Sequence, residues 1–140
     1  MKLACFDPGR RFMGRLSHEC DLLEEFEQLC RKEGIRCAVF TAIGALTRAT
    51  LGFYQQEQKR YHTIELDFPL EIASLSGNIS IKDGKIMAHA HAVLSDENGR
   101  SWAGHLFPNS TIFAGEFFLQ ELVGEAWERR FDPQTGLYLW

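Results

Sequence analysis

Hydrophobic positions along the chain fall into two periods. Between residues 20 and 33 the apolar side chains Leu22, Leu23, Phe26, Leu29 and Cys30 recur at i, i+1, i+4, i+7 and i+8. That is the stripe of an amphipathic helix, with Glu24, Glu25, Glu27, Gln28, Arg31 and Lys32 on the other side. Asp21 with Glu24 resembles a capping pair, Ser17 is an equally fair N-cap, and Gly34 is a natural stop. After Gly34 the period drops towards two. Strands are predicted over 36–42, 46–55, 61–66, 71–81, 86–94, 102–107 and 111–121. Turn signals at Asp83-Gly84, Asp96-Glu97-Asn98-Gly99 and Pro108-Asn109-Ser110 separate several of them. Loops this short join antiparallel neighbours. The pattern predicts an α+β fold, a single domain over residues 1–140 with a mainly antiparallel seven-stranded sheet packed with one main helix.

One segment carries chemistry in its alternation. In Met87-Ala88-His89-Ala90-His91-Ala92-Val93 the two histidines point to one side of the sheet and the alanines to the other. The alanine side suits close packing beneath a helix, so the histidine side faces a cleft, a partner or solvent. Whether His105 joins them depends on the next hairpin. A two-residue loop at Asn98-Gly99 sets His105 opposite Ala92, on the wrong face, because a one-residue shift flips every side chain. A three-residue loop, Glu97-Asn98-Gly99, sets it opposite His91, and Gly99 suits the left-handed residue that closes such loops. Both are open to the sequence; the second is favoured because it brings the three imidazoles together.

The Asp83-Gly84 hairpin places Asn78 opposite His89 and Ser76 opposite His91. Ser74, Ser76, Asn78 and Ser80 then form a polar row beside the histidines, with Ala73, Leu75, Gly77, Ile79 and Ile81 on the apolar side. Three neutral imidazoles suit zinc or another borderline divalent ion and leave a coordination position for water or a small-molecule ligand. Ser76 and Asn78 are the nearest candidates to hydrogen-bond the ligating rings. Glu71 and Glu116 are carboxylates within apolar strands and are further candidates, as a general base or a supporting partner, although an outward-facing or salt-bridged role serves equally well. His18 and His62 read as surface residues. No nucleophile triad or phosphate loop is present, and no catalytic residue is assigned.

Composition narrows the classes. Hydrophobic residues at 45% and charged residues at 24% exclude disordered and fibrous chains. No apolar run reaches the length of a membrane span, and the N-terminal residues lack the pattern of a secretory signal, so a cytoplasmic protein is expected. Cys5, Cys20, Cys30 and Cys37 form no C-x-x-C pair and are expected to be reduced and mostly buried. The net charge is −4, from 15 basic and 19 acidic residues, and the basic residues occur as scattered pairs such as Arg10/Arg11 and Arg129/Arg130. A DNA-binding surface usually shows a basic stripe, so direct DNA binding gains no support from charge.

Taken together, several motifs resemble the plant and prokaryote conserved (PPC) domain family. They are Gly44-Ala45-Leu46-Thr47, the stretch from Pro69 to Asn78, His89-Ala90-His91-Ala92-Val93-Leu94-Ser95-Asp96, Ala103-Gly104-His105-Leu106 and the terminal Asp132 to Trp140. The resemblance spans nearly the whole chain and is to the prokaryotic branch, described as DNA-binding by prediction. It implies a homotrimer, with His89, His91 and His105 as a metal site; the donor chemistry makes zinc the expected ion. Plant relatives carry AT-hooks with an arginine-glycine-arginine core that enters the minor groove. Pro8-Gly9-Arg10-Arg11 lacks that core. The family fold is also similar to that of acetolactate decarboxylase, an analogy that supplies no substrate. Three functions follow as expectations. One is a trimeric regulatory or interaction domain with DNA as a partner, the second a metal-dependent lyase or hydrolase acting on a small carbonyl or carboxylate compound, and the third a structural trimer without metal whose histidines line a wet cleft.

Overall fold

In a computed structural model describing residues 1–140, the chain runs β1 (Asp7–Leu16), α1 (Leu22–Glu33), β2 (Ala38–Gln55), β3 (Arg60–Leu66), β4 (Leu70–Lys82), β5 (Lys85–Ser95), β6 (Ser101–Val123), β7 (Glu128–Asp132) and β8 (Leu137–Leu139). The strands join in the order β3-β2-β6-β5-β4-β7-β8, with β1 on β6 and a further β2–β4 pairing. The path from β2 through β6, β5 and β4 therefore returns to β2 and closes on itself. All pairings are antiparallel except the short parallel contact of β4 with β7. The α+β fold with one helix is as the pattern predicts. The strand count is eight rather than seven.

The differences have local causes. The expected strands 36–42 and 46–55 are one strand, β2. Gly44 bridges them at φ 135°, where a Cβ would lie 2.2 Å from the Ala114 carbonyl oxygen. The strand bends there without breaking. Pro108-Asn109-Ser110 likewise sits inside the continuous strand β6. Asn109 takes a left-handed φ of 71°, and the Ser110 hydroxyl accepts from Thr50 N–H at 3.2 Å and donates to the Phe107 carbonyl at 2.8 Å. Asp7-Pro8-Gly9 opens strand β1, whose ladder with β6 is irregular between Pro8 and Arg11.

Helix α1 follows its stripe. Asp21 is the N-cap: its Oδ1 accepts from the N–H groups of Leu23 and Glu24 at 3.0 and 3.1 Å, and Gly34 closes the helix at φ 69°. Leu22, Leu23, Phe26 and Cys30 are buried against the sheet. Phe26 stacks on Phe40 at 3.9 Å between centroids and meets Phe117 edge-on at 5.4 Å. Beneath the helix lie Ala88, Ala90 and Ala92, all buried. Their small side chains let the sheet approach closely, and Glu27 Oε1 fixes the register by accepting from Ala88 N–H at 3.0 Å. The cysteines are all free thiols. Cys30 and Cys37 are buried, Cys20 is half-buried and Cys5 is exposed, so burial covers fewer of them than expected. No helix is long and apolar enough to cross a membrane.

Candidate metal centre

Two hairpins assemble the site. The β5–β6 ladder pairs His91 with His105, Ala92 with Gly104 and Ser95 with Ser101. Asp96 and Arg100 close the loop, Asp96 N–H donating to the Arg100 carbonyl at 3.0 Å. Three residues remain at the tip, Glu97-Asn98-Gly99, with Gly99 at φ 74°. This is the second of the two registers open to the sequence, and it puts His105 on the histidine face. The β4–β5 ladder pairs Asn78 with His89 and Ser76 with His91, as the Asp83-Gly84 turn predicts.

The polar row is shorter than the alternation suggests. The β4–β5 register shifts between Ile72 and Ser74, so Ile72 is buried and Ala73 exposed, whereas Ala73 was expected on the apolar side. Ser80 is fully buried and accepts from Arg129 Nε at 2.8 Å. Ser76 is exposed beside His91. Asn78 is half-buried, and its Oδ1 accepts from Arg129 Nη2 at 2.8 Å.

The three imidazoles form a near-equilateral group. Ring centroids lie 5.4 Å apart for His89 and His91, 4.8 Å for His89 and His105, and 5.4 Å for His91 and His105. One nitrogen from each ring lies within 4.8 Å of the others. Imidazoles ligating a tetrahedral ion at about 2.1 Å hold their centroids roughly 5 Å apart, so the spacing fits such an ion. Burial, then the charge of Arg129, lowers His89 to about 4. Burial and the neighbouring histidines lower His105 to about 4 as well. Both rings are neutral at pH 7, the state that ligates.

The Nδ1 atom of His105 is buried and has no hydrogen-bond partner. An orphaned buried nitrogen is costly, and a metal ion is one partner that removes the cost. The His105 ring is held by Phe107 at 4.7 Å and Tyr61 at 5.0 Å between centroids. A cavity of about 630 Å³ opens on His89 and His91, bordered by Val39, Phe118 and Trp140. A second, of about 480 Å³, meets His105 beside Glu24, Glu27 and Met87.

Glu71 and Glu116 do not join the donor group. Glu71 is exposed opposite Ser95, in a separate hollow with Thr47, and Glu116 is exposed opposite Ile43 and Arg15. The outward-facing alternative describes both. His18 and His62 are exposed, as expected.

Arg129, one of the scattered basic pair Arg129/Arg130, joins the site without a motif to mark it. Arg129 is 6% exposed. Its Nη2 lies 3.2 Å from His89 Nδ1, and its Nη1 donates to the Tyr138 carbonyl at 3.2 Å. Trp140 lies 4.5 Å over the guanidinium. An arginine only donates, so His89 Nδ1 accepts and its proton sits on Nε2. The available signal was the alternation Trp127-x-Arg129-x-Phe131 in a short strand, which sets one cation in an apolar row.

Comparison with known proteins extends the picture. Residues 4–123 match the Plants and Prokaryotes Conserved (PCC) domain. A metal-containing protein from Archaeoglobus fulgidus superposes with a TM-score of 0.96 at 46% identity, covering 100% of this chain and 99% of that one. A plant- and prokaryote-conserved protein from Pyrococcus horikoshii gives 0.94 at 39% identity, over 100% and 96%. A protein from Ralstonia eutropha, described provisionally as DNA-binding, gives 0.81 at 28% identity, over 91% and 88%. Among curated proteins, the bifunctional protein GlmU of Synechococcus is 34% identical over 118 residues. That match is 83% of this chain and 18% of GlmU, so the chain spans under a fifth of that relative. Acetolactate decarboxylase from Bacillus subtilis shares the fold alone, with a TM-score of 0.57 at 13% identity, over 89% and 56%.

Proposed function

The chain belongs to the Plants and Prokaryotes Conserved (PCC) domain family, and from that premise we propose a homotrimeric metal protein in which His89, His91 and His105 hold one divalent ion, zinc before others. The carrying observation is the convergence of three imidazole nitrogens within 4.8 Å of one another, beside a His105 ring whose Nδ1 is buried without a partner. The archaeal relative described as metal-containing supports the same reading. Such an ion supplies Lewis acidity, lowering the pKa of bound water and polarising a carbonyl oxygen. The protein's own residues do the positioning. The β4–β5 and β5–β6 ladders set the three rings on one face, and Tyr61 and Phe107 fix the His105 ring. Elemental analysis of purified protein tests the proposal: one metal per chain is expected, lost in His89→Ala and His105→Ala. Metal-free protein that also takes up none on dialysis against zinc sinks it.

The number three comes from the family resemblance, and an exposed apolar face supports self-association. Met13 lies opposite Phe118, and Phe118 opposite Thr41. Val39 and Ile43 flank Thr41 on that same face, and Ile43 is 60% exposed. A contiguous exposed apolar patch marks a protein contact, and the whole chain 1–140 forms each trimer's repeating domain in this proposal. Ile43→Glu is expected to shift the sedimenting species from trimer to monomer.

The cavity beside His89 and His91 favours a second reading, a metal-dependent lyase or hydrolase acting on a small carbonyl or carboxylate compound. Turnover that disappears with the metal would carry it. DNA as a partner rests on the provisional description of the Ralstonia relative. Arg10, in the Pro8-Gly9-Arg10-Arg11 segment that lacks a hook core, is a strand residue paired with Glu121 at 2.7 Å and Glu33 at 3.1 Å. Retention on duplex DNA at low salt that falls as salt rises is the expected sign of association.

A further inference from the structure

Arg129 is a charge without a counter-charge. Its side chain is almost wholly buried, and none of the ion pairs in the molecule includes it. Its partners are neutral: the Ser80 hydroxyl, the Asn78 amide oxygen, the Tyr138 carbonyl and the His89 ring. A buried ion that no opposite charge offsets is a costly arrangement, and proteins keep one where something else supplies the opposite charge.

The contact with His89 makes that cost conditional on the metal. In the structure the Nδ1 lone pair of His89 points to Nη2 at 3.2 Å. A neutral imidazole that ligates through Nδ1 gives this lone pair to the ion. One that ligates through Nε2 must carry its proton on Nδ1, where it faces another donor. Either way a bound metal would take an acceptor from Arg129. It would also set a divalent charge near the guanidinium, among three neutral rings. Two like charges at that spacing in a partly desolvated site repel strongly.

Resting on the metal reading above, we propose that this site takes its metal together with a small monocarboxylate, and that Arg129 makes tight metal binding depend on that anion. The anion answers both cations, and the Arg129 N–H released from His89 is a donor for it. The organic remainder of the ligand has a place in the cavity beside His91, whose border includes Val39, Phe118 and Trp140. That apolar border selects a carboxylate with a short hydrocarbon end over an inorganic oxyanion. Arg129 stands in β7, so the strand Glu128–Asp132 brings the anion requirement to the site.

The test measures zinc affinity by competition with a chromophoric chelator, with and without propionate, in the wild type, Arg129→Met and Arg129→Lys. Thermal melts establish that each variant is folded. In the wild type, saturating propionate is expected to tighten zinc binding by about 10- to 100-fold, the range of a charge-assisted hydrogen bond. Arg129→Met is expected to bind zinc more tightly than the wild type in the absence of anion and to lose the propionate effect. Arg129→Lys keeps the charge and is expected to retain a reduced effect; it decides the matter if the methionine variant does not fold. Equal response to propionate in all three variants overturns the proposal, and so does weaker zinc binding by Arg129→Met without anion. An equal effect of inorganic phosphate overturns the carboxylate assignment. Absence of zinc binding in every arm overturns the metal reading itself, a separate and distinguishable failure.

Discussion

Strand β5 builds two environments within five residues. On one face Ala88, Ala90 and Ala92 lie buried beneath helix α1, between 1% and 5% exposed. On the other, His89 and His91 border a cavity and gather with His105. The alanine face follows the rule of interiors: small apolar groups, close contact and a backbone N–H satisfied by Glu27. The histidine face breaks that rule twice, with an orphaned nitrogen on His105 and an unpaired cation on Arg129. Stability is invested on one side of the strand, and unsatisfied polar groups accumulate on the other. Such violations are expected where a fold serves a ligand rather than itself.

The contrast predicts a ranking of effects. Phe26 stacks on Phe40 over the alanine face, and Phe26→Ala is expected to cost about 3–5 kcal/mol in chemical denaturation, the range for a buried aromatic. Ala90→Leu overpacks the same interface and should cost about 1–3 kcal/mol. His105→Leu, on the opposite face, removes an unpartnered nitrogen. In the metal-free protein it should change stability by less than about 1 kcal/mol while abolishing metal uptake. A cost matching that of Ala90→Leu would erase the distinction between the faces.

A pH dependence separates the two faces as well. Burial lowers His89 and His105 from 6.5 to about 4, with help from Arg129 and the neighbouring histidines. Above pH 6.5 neither the folded nor the unfolded chain protonates these rings to any extent, so they cost nothing. Between 6.5 and 4 the unfolded chain takes up protons that the folded chain refuses, and stability falls with pH; below 4 the loss is complete. Denaturation midpoints of metal-free protein should therefore fall more steeply across this window in the wild type than in His105→Leu.

Much of this was legible in the chain. The helix could be read because one stripe, one acidic cap and one glycine agree. The histidine register could be read because period-two alternation leaves few ways to pair Met87–Val93 with Trp102–Phe107, and Gly99 favours one of them. Strand β1 was not legible: Arg10, Arg11, Met13 and Arg15 are all exposed, so no alternation marks it, and pairing with β6 alone defines it. The continuity of β2 and β6 was hidden because Gly44 and Pro108-Asn109-Ser110 look like breaks. Tertiary contacts hold both segments extended: the close approach of Gly44 to Ala114, and the Ser110 hydrogen bonds to Thr50 and to Asp21 Oδ2 at 3.1 Å. Arg129 was missed for a similar reason. It reaches the histidines only through the parallel pairing of β7 with the end of β4, a long-range contact without a local signature.

The most direct test of the central claim is an anomalous difference map from crystals of the purified protein, collected on either side of the zinc edge. A single peak per chain is expected between the rings of His89, His91 and His105, present above the edge and absent below it. No peak there after zinc has been added, or a peak held by other residues, would contradict it.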